Sequence, residues 1–151
     1  MAAVYGIANC DSVKKARAWL AGRGIGAEFV DFKKEKPTEG MVRSWLAQIP
    51  LSVLLNRRGT TWRNLDDVQK RQAGDVDGAA ALMCAMPGLI KRPVLEVEGR
   101  FYCGFDEAVY NEVFWVNQNK TLFRIFDSGE QVSAQLFGVK VPVADFGFPV
   151  K

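Results

Sequence analysis

The sequence predicts an α/β protein with a mixed sheet, a helical insertion and a β-rich C-terminal extension. Three observations indicate this class: a β-α-β pattern opens the chain, several helical segments follow, and a β-hairpin with a last helix comes next. Of the 151 residues, 48% are apolar and 25% charged, which suits a domain that buries a full core. We expect one domain over residues 1–114. An extension of undefined role over residues 115–151 is expected to pack on that domain or on a partner.

The β-α-β pattern begins with a short buried strand at residues 4–7, which ends before a polar loop around Cys10. Asp11 or Ser12 can cap the helix that follows, whose apolar residues recur at helical spacing. Two nearby glycines end this helix, and residues 27–32 form the second predicted strand. A connection of this length implies parallel pairing with a right-handed crossover.

The helical insertion is predicted at about residues 38–90. Thr38 begins a helix that Pro50 ends, and an apolar cluster then leads into a polar loop at residues 56–62. Asp77 is the predicted cap of another helix, which a Pro-Gly pair ends.

After the insertion, residues 93–97 and 100–103 predict two strands of a β-hairpin joined by a tight turn. Asp106 is expected to cap the last helix of the domain. The apolar residues assigned to this helix are Ala108, Val109 and Val113. Short strands and five phenylalanines follow in the extension, and these rings would expose much apolar surface if the segment were free.

Composition excludes several classes of chemistry. The sequence contains no histidine, which removes Ser-His-Asp and Cys-His catalysis and the usual imidazole zinc sites, so no metal is expected. Residues 1–92 contain 15 basic and 9 acidic residues, whereas residues 93–151 contain 5 and 8. This mild asymmetry favours a local anion site over a nucleic-acid surface.

The sequence shows neither a membrane-spanning segment nor the pattern of a signal peptide. No apolar run approaches the roughly 20 residues of a membrane span, and the first residues lack the pattern of a signal peptide. The predicted location is therefore the cytoplasm, and a membrane is not an expected partner. The three cysteines are odd in number and widely spaced, which argues against a disulfide framework.

Cys10 is the cysteine best placed for chemistry. It lies between the first strand and the first helix, where unpaired backbone N–H groups and the helix dipole stabilise a thiolate. The alternative, a buried structural cysteine, is disfavoured by the polar neighbours Asn9 and Ser12. Cys84 lies among apolar residues and is predicted to be in the core, whereas Cys103 is left open between a structural and a secondary redox role.

Arg92 and Pro93 lie at the tight entry to the third strand, and cis X-Pro bonds are found at such places. A guanidinium at this position can hold an oxyanion in two parallel hydrogen bonds. Composition alone favours the alternative, a solvent-exposed arginine beside Lys91.

Several segments resemble the ArsC/Spx family, and most of all its YffB-like thiol reductase branch. The segments are Tyr5–Ala16, Leu54–Trp62, Ala79–Met83 with Met86–Pro87, and Ile90–Val94. The resemblance covers about residues 3–114 in matching order and spacing. It implies a thioredoxin/glutaredoxin-like fold with a helical insertion, in which Cys10 is the nucleophile and Pro93 is cis and faces the thiol.

The function that this resemblance implies is thiol-disulfide exchange by a glutathione-dependent thiol reductase with Cys10 as its single nucleophile. Glutathione would be a co-substrate, and no bound cofactor is expected. The substrate-binding residues predicted on this basis are Asn9, Ser12, Lys14, Arg58, Arg92 and Pro93. The expected partners are glutathione or a mixed disulfide, with glutaredoxin as a further candidate, and nucleic acid is not expected.

Two alternatives remain open at this point. The first is an Spx-like transcriptional regulator that binds RNA polymerase, although Val13 stands where a Cys-x-x-Cys switch needs its second cysteine. The second is a glutaredoxin-coupled arsenate reductase. Such enzymes place three arginines around the thiolate, and only Arg92 matches, since Asn56 and Gly104 occupy the other two positions. Losing two contacts of about 1.5–3 kcal/mol each disfavours arsenate.

Overall fold

A four-stranded mixed sheet lies at the centre of the fold in the computed structural model, which describes residues 1–118. The strands are β1 (Ala2–Gly6), β2 (Ala27–Asp31), β3 (Val94–Val97) and β4 (Arg100–Cys103). The helices are α1 (Asp11–Gly22), α2 (Glu39–Leu46), α3 (Leu51–Leu54), α4 (Thr60–Arg63), α5 (Asp67–Gln72), α6 (Val76–Ala85) and α7 (Glu107–Gln118). A 3₁₀ turn at Pro87–Leu89 follows α6. The predicted α/β class with a helical insertion between β2 and β3 is confirmed.

The strand order in the sheet is β2-β1-β3-β4. β1 and β2 are parallel, as the crossover through α1 predicts, whereas β3 is antiparallel to both β1 and β4. Tyr5, Val94 and Cys103 lie in one row across three strands. The C-terminal ends of β1 and β4 and the N-terminal end of β3 therefore meet at one end of the sheet.

A two-residue turn joins β3 to β4 at the opposite end of the sheet. Both turn residues, Glu98 (φ 51°) and Gly99 (φ 75°), have positive φ. This is the geometry of a type I′ turn, which fits the right-handed twist of paired strands. Val97 pairs with Arg100 to close the predicted hairpin.

The helical insertion builds the largest part of the core. Its apolar residues form one cluster with the sheet, in which Trp45, Leu54, Met83 and Ile90 are almost completely buried. The Tyr5 ring of β1 packs against Trp45 with ring centroids 5.3 Å apart. Burial of such side chains is the main favourable contribution to folding, at about 1.5–3 kcal/mol each.

A second set of apolar contacts connects α1 with α7. Val13, Ala16 and Leu20 of α1 are buried, as the helical spacing predicts. The rings of Trp19 and Tyr110 meet edge to face with centroids 5.5 Å apart. This geometry is favourable for aromatic quadrupoles and fixes the first helix against the last.

The helix predicted from Thr38 to Pro50 is shorter than expected. Thr38 caps α2 as predicted, because its hydroxyl accepts from the Met41 N–H at 3.2 Å. The helix ends at Leu46. The chain then turns so that Ile49 is buried, and its N–H donates to the Trp45 carbonyl at 2.7 Å.

The cap of α6 differs from the prediction. Asp75, not Asp77, accepts a hydrogen bond from the Gly78 N–H at 2.8 Å. Asp77 instead pairs with Arg43 on α2. Two short helices, α4 and α5, also lie in stretches where the sequence predicted no helix. α5 begins with a reciprocal capping box between Asp66 and Gln69.

Asp106 caps α7 as predicted, since its carboxylate accepts from the Ala108 and Val109 N–H groups at 2.9 and 3.1 Å. The predicted apolar face of this helix is partly wrong. Ala108 and Val109 are exposed, whereas Tyr110 and Val113 are buried. The cap fixes the start of the helix and thereby turns Tyr110, not Val109, inwards.

Helix α7 continues past the predicted domain limit at residue 114 and ends at Gln118. The strands predicted for the C-terminal extension lie outside the described residues, so that part of the prediction stays a prediction. Within residues 1–118, no helix combines the length and apolar character needed to cross a membrane.

Candidate active site

Cys10 lies between the end of β1 and the first turn of α1. Its backbone is extended (φ −125°, ψ 128°), and its carbonyl accepts the first helical hydrogen bond, from the Lys14 N–H at 2.9 Å. Cys10 itself, and not Asp11 or Ser12, occupies the N-cap position of α1, so the predicted cap is wrong. The half-buried thiol lies beside the N–H groups of the first turn at a helix N-terminus, as the sequence predicts.

The surroundings of Cys10 favour its thiolate. Burial on its own raises the pKa of the thiol, but hydrogen bonding from the Val13 N–H, the Arg92 guanidinium and the Ser12 N–H lowers it by more. The positive charge of Arg92 adds to this effect. The net pKa lies below the ordinary value, so Cys10 is activated as a nucleophile.

Arg92 is brought to Cys10 by the start of β3. The Arg92–Pro93 peptide bond is cis, as expected. The Nε atom of Arg92 is buried, and its N–H has no hydrogen-bond acceptor within the described part of the chain. Arg92 as a whole is only half-buried, so part of its side chain faces solvent.

Gly6, which the sequence analysis did not single out, lets the end of β1 pack closely against α1. A Cβ built on Gly6 would lie 2.6 Å from Val13 Cγ2, whereas its distance of 3.8 Å to Arg92 Cβ would be an ordinary contact. A residue with a side chain would therefore push β1 away from Val13. A glycine as the last residue of a strand is the signal that could have indicated the contact.

The polar loop that contains Arg58 lies beside the start of β3. The Asn56 N–H donates to the Leu89 carbonyl, and the Lys91 N–H donates to the Leu54 carbonyl, both at 2.7 Å. The Arg58 N–H donates to Asn56 Oδ1 at 3.2 Å, which holds the loop in shape. The Arg58 side chain is exposed.

The remaining predicted ligand residues differ in how far they are buried. Lys14 donates to Asn9 Oδ1 at 3.3 Å, and both side chains are exposed. Ser12 is half-buried and contributes its backbone N–H to Cys10. Pro93 is buried, and its carbonyl accepts from the Gly104 N–H at 2.7 Å.

The thiols of the other two cysteines donate hydrogen bonds to backbone carbonyl groups. Cys84 is half-buried, not fully in the core as predicted, and its thiol donates to the Pro37 carbonyl at 3.1 Å. Cys103 donates to the Lys91 carbonyl at 3.5 Å. Burial raises the pKa of Cys103 to about 11, although the charge of Lys91 acts in the opposite direction. A thiol with this pKa is a poor nucleophile near neutral pH.

The chain is similar to proteins of a known family over most of its length. A family model described as the ArsC family matches residues 5–113. The chain belongs to the ArsC family. An uncharacterized protein of Haemophilus influenzae is 39% identical over 114 residues, which are 76% of this chain and 99% of that protein.

Solved structures agree with this ArsC-family assignment. A YffB protein superposes with a TM-score of 0.71 and is 41% identical, and the match covers 74% of this chain and 97% of that one. An arsenate reductase (ArsC) related protein from Brucella melitensis has a TM-score of 0.59 and 42% identity, over 75% of this chain and 93% of its own. The thioredoxin-like fold and the YffB-like branch are thus confirmed, and the chain is an oxidoreductase of this class.

Proposed function

We propose that the protein is a glutathione-dependent thiol reductase in which Cys10 is the single nucleophile. The observation that carries this proposal is the lowered pKa of Cys10 at the start of α1, beside the Arg92 guanidinium. A thiolate at this position is the reactive form in thiol-disulfide exchange.

The proposed reaction has two exchange steps. The Cys10 thiolate attacks a mixed disulfide of glutathione at the glutathione sulfur, a new S–S bond forms, and the second thiol leaves as a thiolate. A thiolate of free glutathione then attacks the Cys10–glutathione disulfide. Oxidised glutathione leaves and the Cys10 thiolate is regenerated, so the net reaction consumes one free glutathione and converts the mixed disulfide into the released thiol and oxidised glutathione.

Resolution by an external thiol follows from the positions of the other cysteines. Val13 stands at the position from which a Cys-x-x-Cys partner would act. Cys103 donates to two backbone carbonyls, those of Lys91 and Val53, and its raised pKa keeps it protonated. Cys84 is hydrogen-bonded to a carbonyl in the insertion. This arrangement favours an external resolving thiol, for which we propose glutathione.

The proposed binding roles follow from charge and position. Arg92, which hydrogen-bonds the Cys10 thiol, would also hold a carboxylate of the tripeptide. Arg58 and Lys14 would raise the positive potential around the thiol. Asn9 and Ser12 would donate hydrogen bonds to the peptide.

Arsenate reduction is a second candidate, because the Brucella relative is described as related to arsenate reductases. Its site would need more positive charge, since an arsenate and a thiolate repel each other. Asn56 is neutral and its side chain holds its own loop, while Gly104 has no side chain. Thiol reduction therefore ranks first.

The proposal is tested with the mixed disulfide of glutathione and 2-mercaptoethanol as substrate and glutathione as reductant. We expect turnover by the wild type and by the matched variants Cys84→Ser and Cys103→Ser, and loss of turnover in Cys10→Ser. Near wild-type turnover by Cys10→Ser contradicts the proposal. Addition of arsenate with glutaredoxin in parallel assays ranks the second candidate.

A further inference from the structure

Lys91 is an exposed cation beside the proposed active site that has no assigned role. Its backbone position is fixed from two sides, because its N–H donates to the Leu54 carbonyl at 2.7 Å and its carbonyl accepts from the Cys103 thiol at 3.5 Å. Lys91 directly precedes Arg92, whose guanidinium lies at Cys10. The stem of the Lys91 side chain therefore starts at a defined point next to Arg92, and its charge acts on the Cys103 thiol at the same end of the sheet.

The Lys91 side chain passes next to Gly104. A Cβ built on Gly104 would lie 3.7 Å from Lys91 Cε. Gly104 has a φ of +85° and donates its N–H to the Pro93 carbonyl, so it follows β4 at the same end of the sheet as Cys10. The Lys91 ammonium thus provides positive charge at a place where residue 104 cannot.

Nothing in the described part of the chain neutralises this ammonium. The ion pairs within residues 1–118 involve Arg23, Arg43 and the N-terminus, but not Lys91. Asp106 is the acidic residue that follows Gly104 most closely, and its carboxylate already caps α7. A cation that has a fixed backbone and no counterion is suited to bind an anionic group of a ligand.

We infer that Lys91 is a specificity-determining residue that binds a second carboxylate of an anionic peptide thiol. The inference rests on the proposed function and names the feature of the substrate that the site distinguishes. Glutathione has two carboxylates, and Arg92 is shared between one of them and the Cys10 thiolate. Lys91 receives the other carboxylate, so anionic disulfides react faster than neutral ones of similar size.

The test measures the first exchange step alone, as the second-order rate constant for formation of the Cys10 adduct in acid-quenched samples. The two probes are oxidised glutathione, which is anionic, and bis(2-hydroxyethyl) disulfide, which is neutral. We expect Lys91→Gln to lower the rate with oxidised glutathione about three- to fivefold, the size of a solvent-exposed ion pair. Its rate with the neutral disulfide should equal that of the wild type. Lys91→Arg should restore the rate with oxidised glutathione and leave the rate with the neutral disulfide unchanged.

Arg100 supplies the matched control. It is also exposed and cationic, but it lies at the hairpin end of β4, opposite the end that holds Cys103. Arg100→Gln should leave both rate constants unchanged. Equal losses with both disulfides in Lys91→Gln, or no loss with either, overturn the role of Lys91. Failure of the wild type to form an adduct with either disulfide overturns the proposed function as well, which distinguishes the two failures.

Discussion

At the scale of single residues, the reactivity of Cys10 is set by three short-range partners. The Val13 and Ser12 N–H groups and the Arg92 guanidinium together outweigh the cost of burying the thiolate. The sequence shows the position before a helix, but not the arginine, which arrives from a segment about 80 residues later. Proximity of that kind is a property of the fold and not of local spacing.

The lowered pKa predicts an ordered pattern of alkylation. Below about pH 8.5, the ordinary pKa of a thiol, a limiting amount of iodoacetamide should label Cys10 first, because a group with a lowered pKa keeps its thiolate as the pH falls. Cys103, with a pKa of about 11, should stay unlabelled in the folded protein. Peptide mapping across a pH series provides the measurement.

The role of Arg92 is tested in the same titration. Arg92→Ala should move the midpoint of Cys10 labelling to higher pH, because the variant loses both a hydrogen-bond donor and a positive charge. Arg100→Ala, at the far end of the sheet, should leave the midpoint in place. An unshifted midpoint in Arg92→Ala would show that the helix N–H groups alone activate the thiol.

Gly6 predicts a cost in stability. Gly6→Ala would put a Cβ 2.6 Å from the buried Val13 Cγ2, so we expect unfolding free energy to fall by about 1–3 kcal/mol in urea titrations. Gly26→Ala is the control, because a Cβ there meets nothing within 4 Å. Equal stability of the two variants would refute the close packing of β1 against α1.

At the scale of elements, the backbone conformation directly after β4 limits which residues position 104 can hold. Gly104 has a φ of +85°, so Gly104→Arg and Gly104→Ala should each lower stability by about 1–2 kcal/mol through backbone strain. Gly22→Ala, where a Cβ meets nothing within 4 Å, should not destabilise the protein. Thermal unfolding of the three variants is the measurement, and tolerance of alanine at residue 104 would contradict the strain argument.

The same elements show what sequence patterns can and cannot reveal. β1, α1 and the hairpin were predicted because their apolar residues repeat at strand or helix spacing. α4 and α5 were missed because they are short, polar and mostly exposed, although the Asp66–Gln69 capping box is a sequence signature of a helix start. The hydrogen bonds that join Leu54 and Asn56 to residues 89–91 are non-local, so no local pattern encodes them.

At the scale of the whole molecule, the chain is longer than the relatives that it matches. The Haemophilus protein is matched over 99% of its length and the YffB structure over 97%, but each match covers only about three quarters of this chain. The family match ends at residue 113, and residues 1–113 form a compact unit. The predicted site lies wholly within that unit.

Truncation after Gln118 should therefore leave a folded oxidoreductase. The rate of Cys10 adduct formation with oxidised glutathione is expected to stay within about twofold of the full-length value, because the truncation leaves every element from β1 to α7 complete. Circular dichroism checks the fold of the truncated chain. If the truncated protein folds but has no exchange activity, the prediction is contradicted and the extension takes part in the reaction.

The most direct test of Cys10 as the single nucleophile is the intact mass of the protein after incubation with oxidised glutathione, followed by peptide mapping. The account predicts one glutathione adduct, located on Cys10, which free glutathione removes. It also predicts that Cys10→Ser takes up no adduct, whereas Cys103→Ser behaves as the wild type does. An adduct on Cys84 or Cys103 in the folded wild-type protein, or an internal disulfide that involves Cys10, would contradict it.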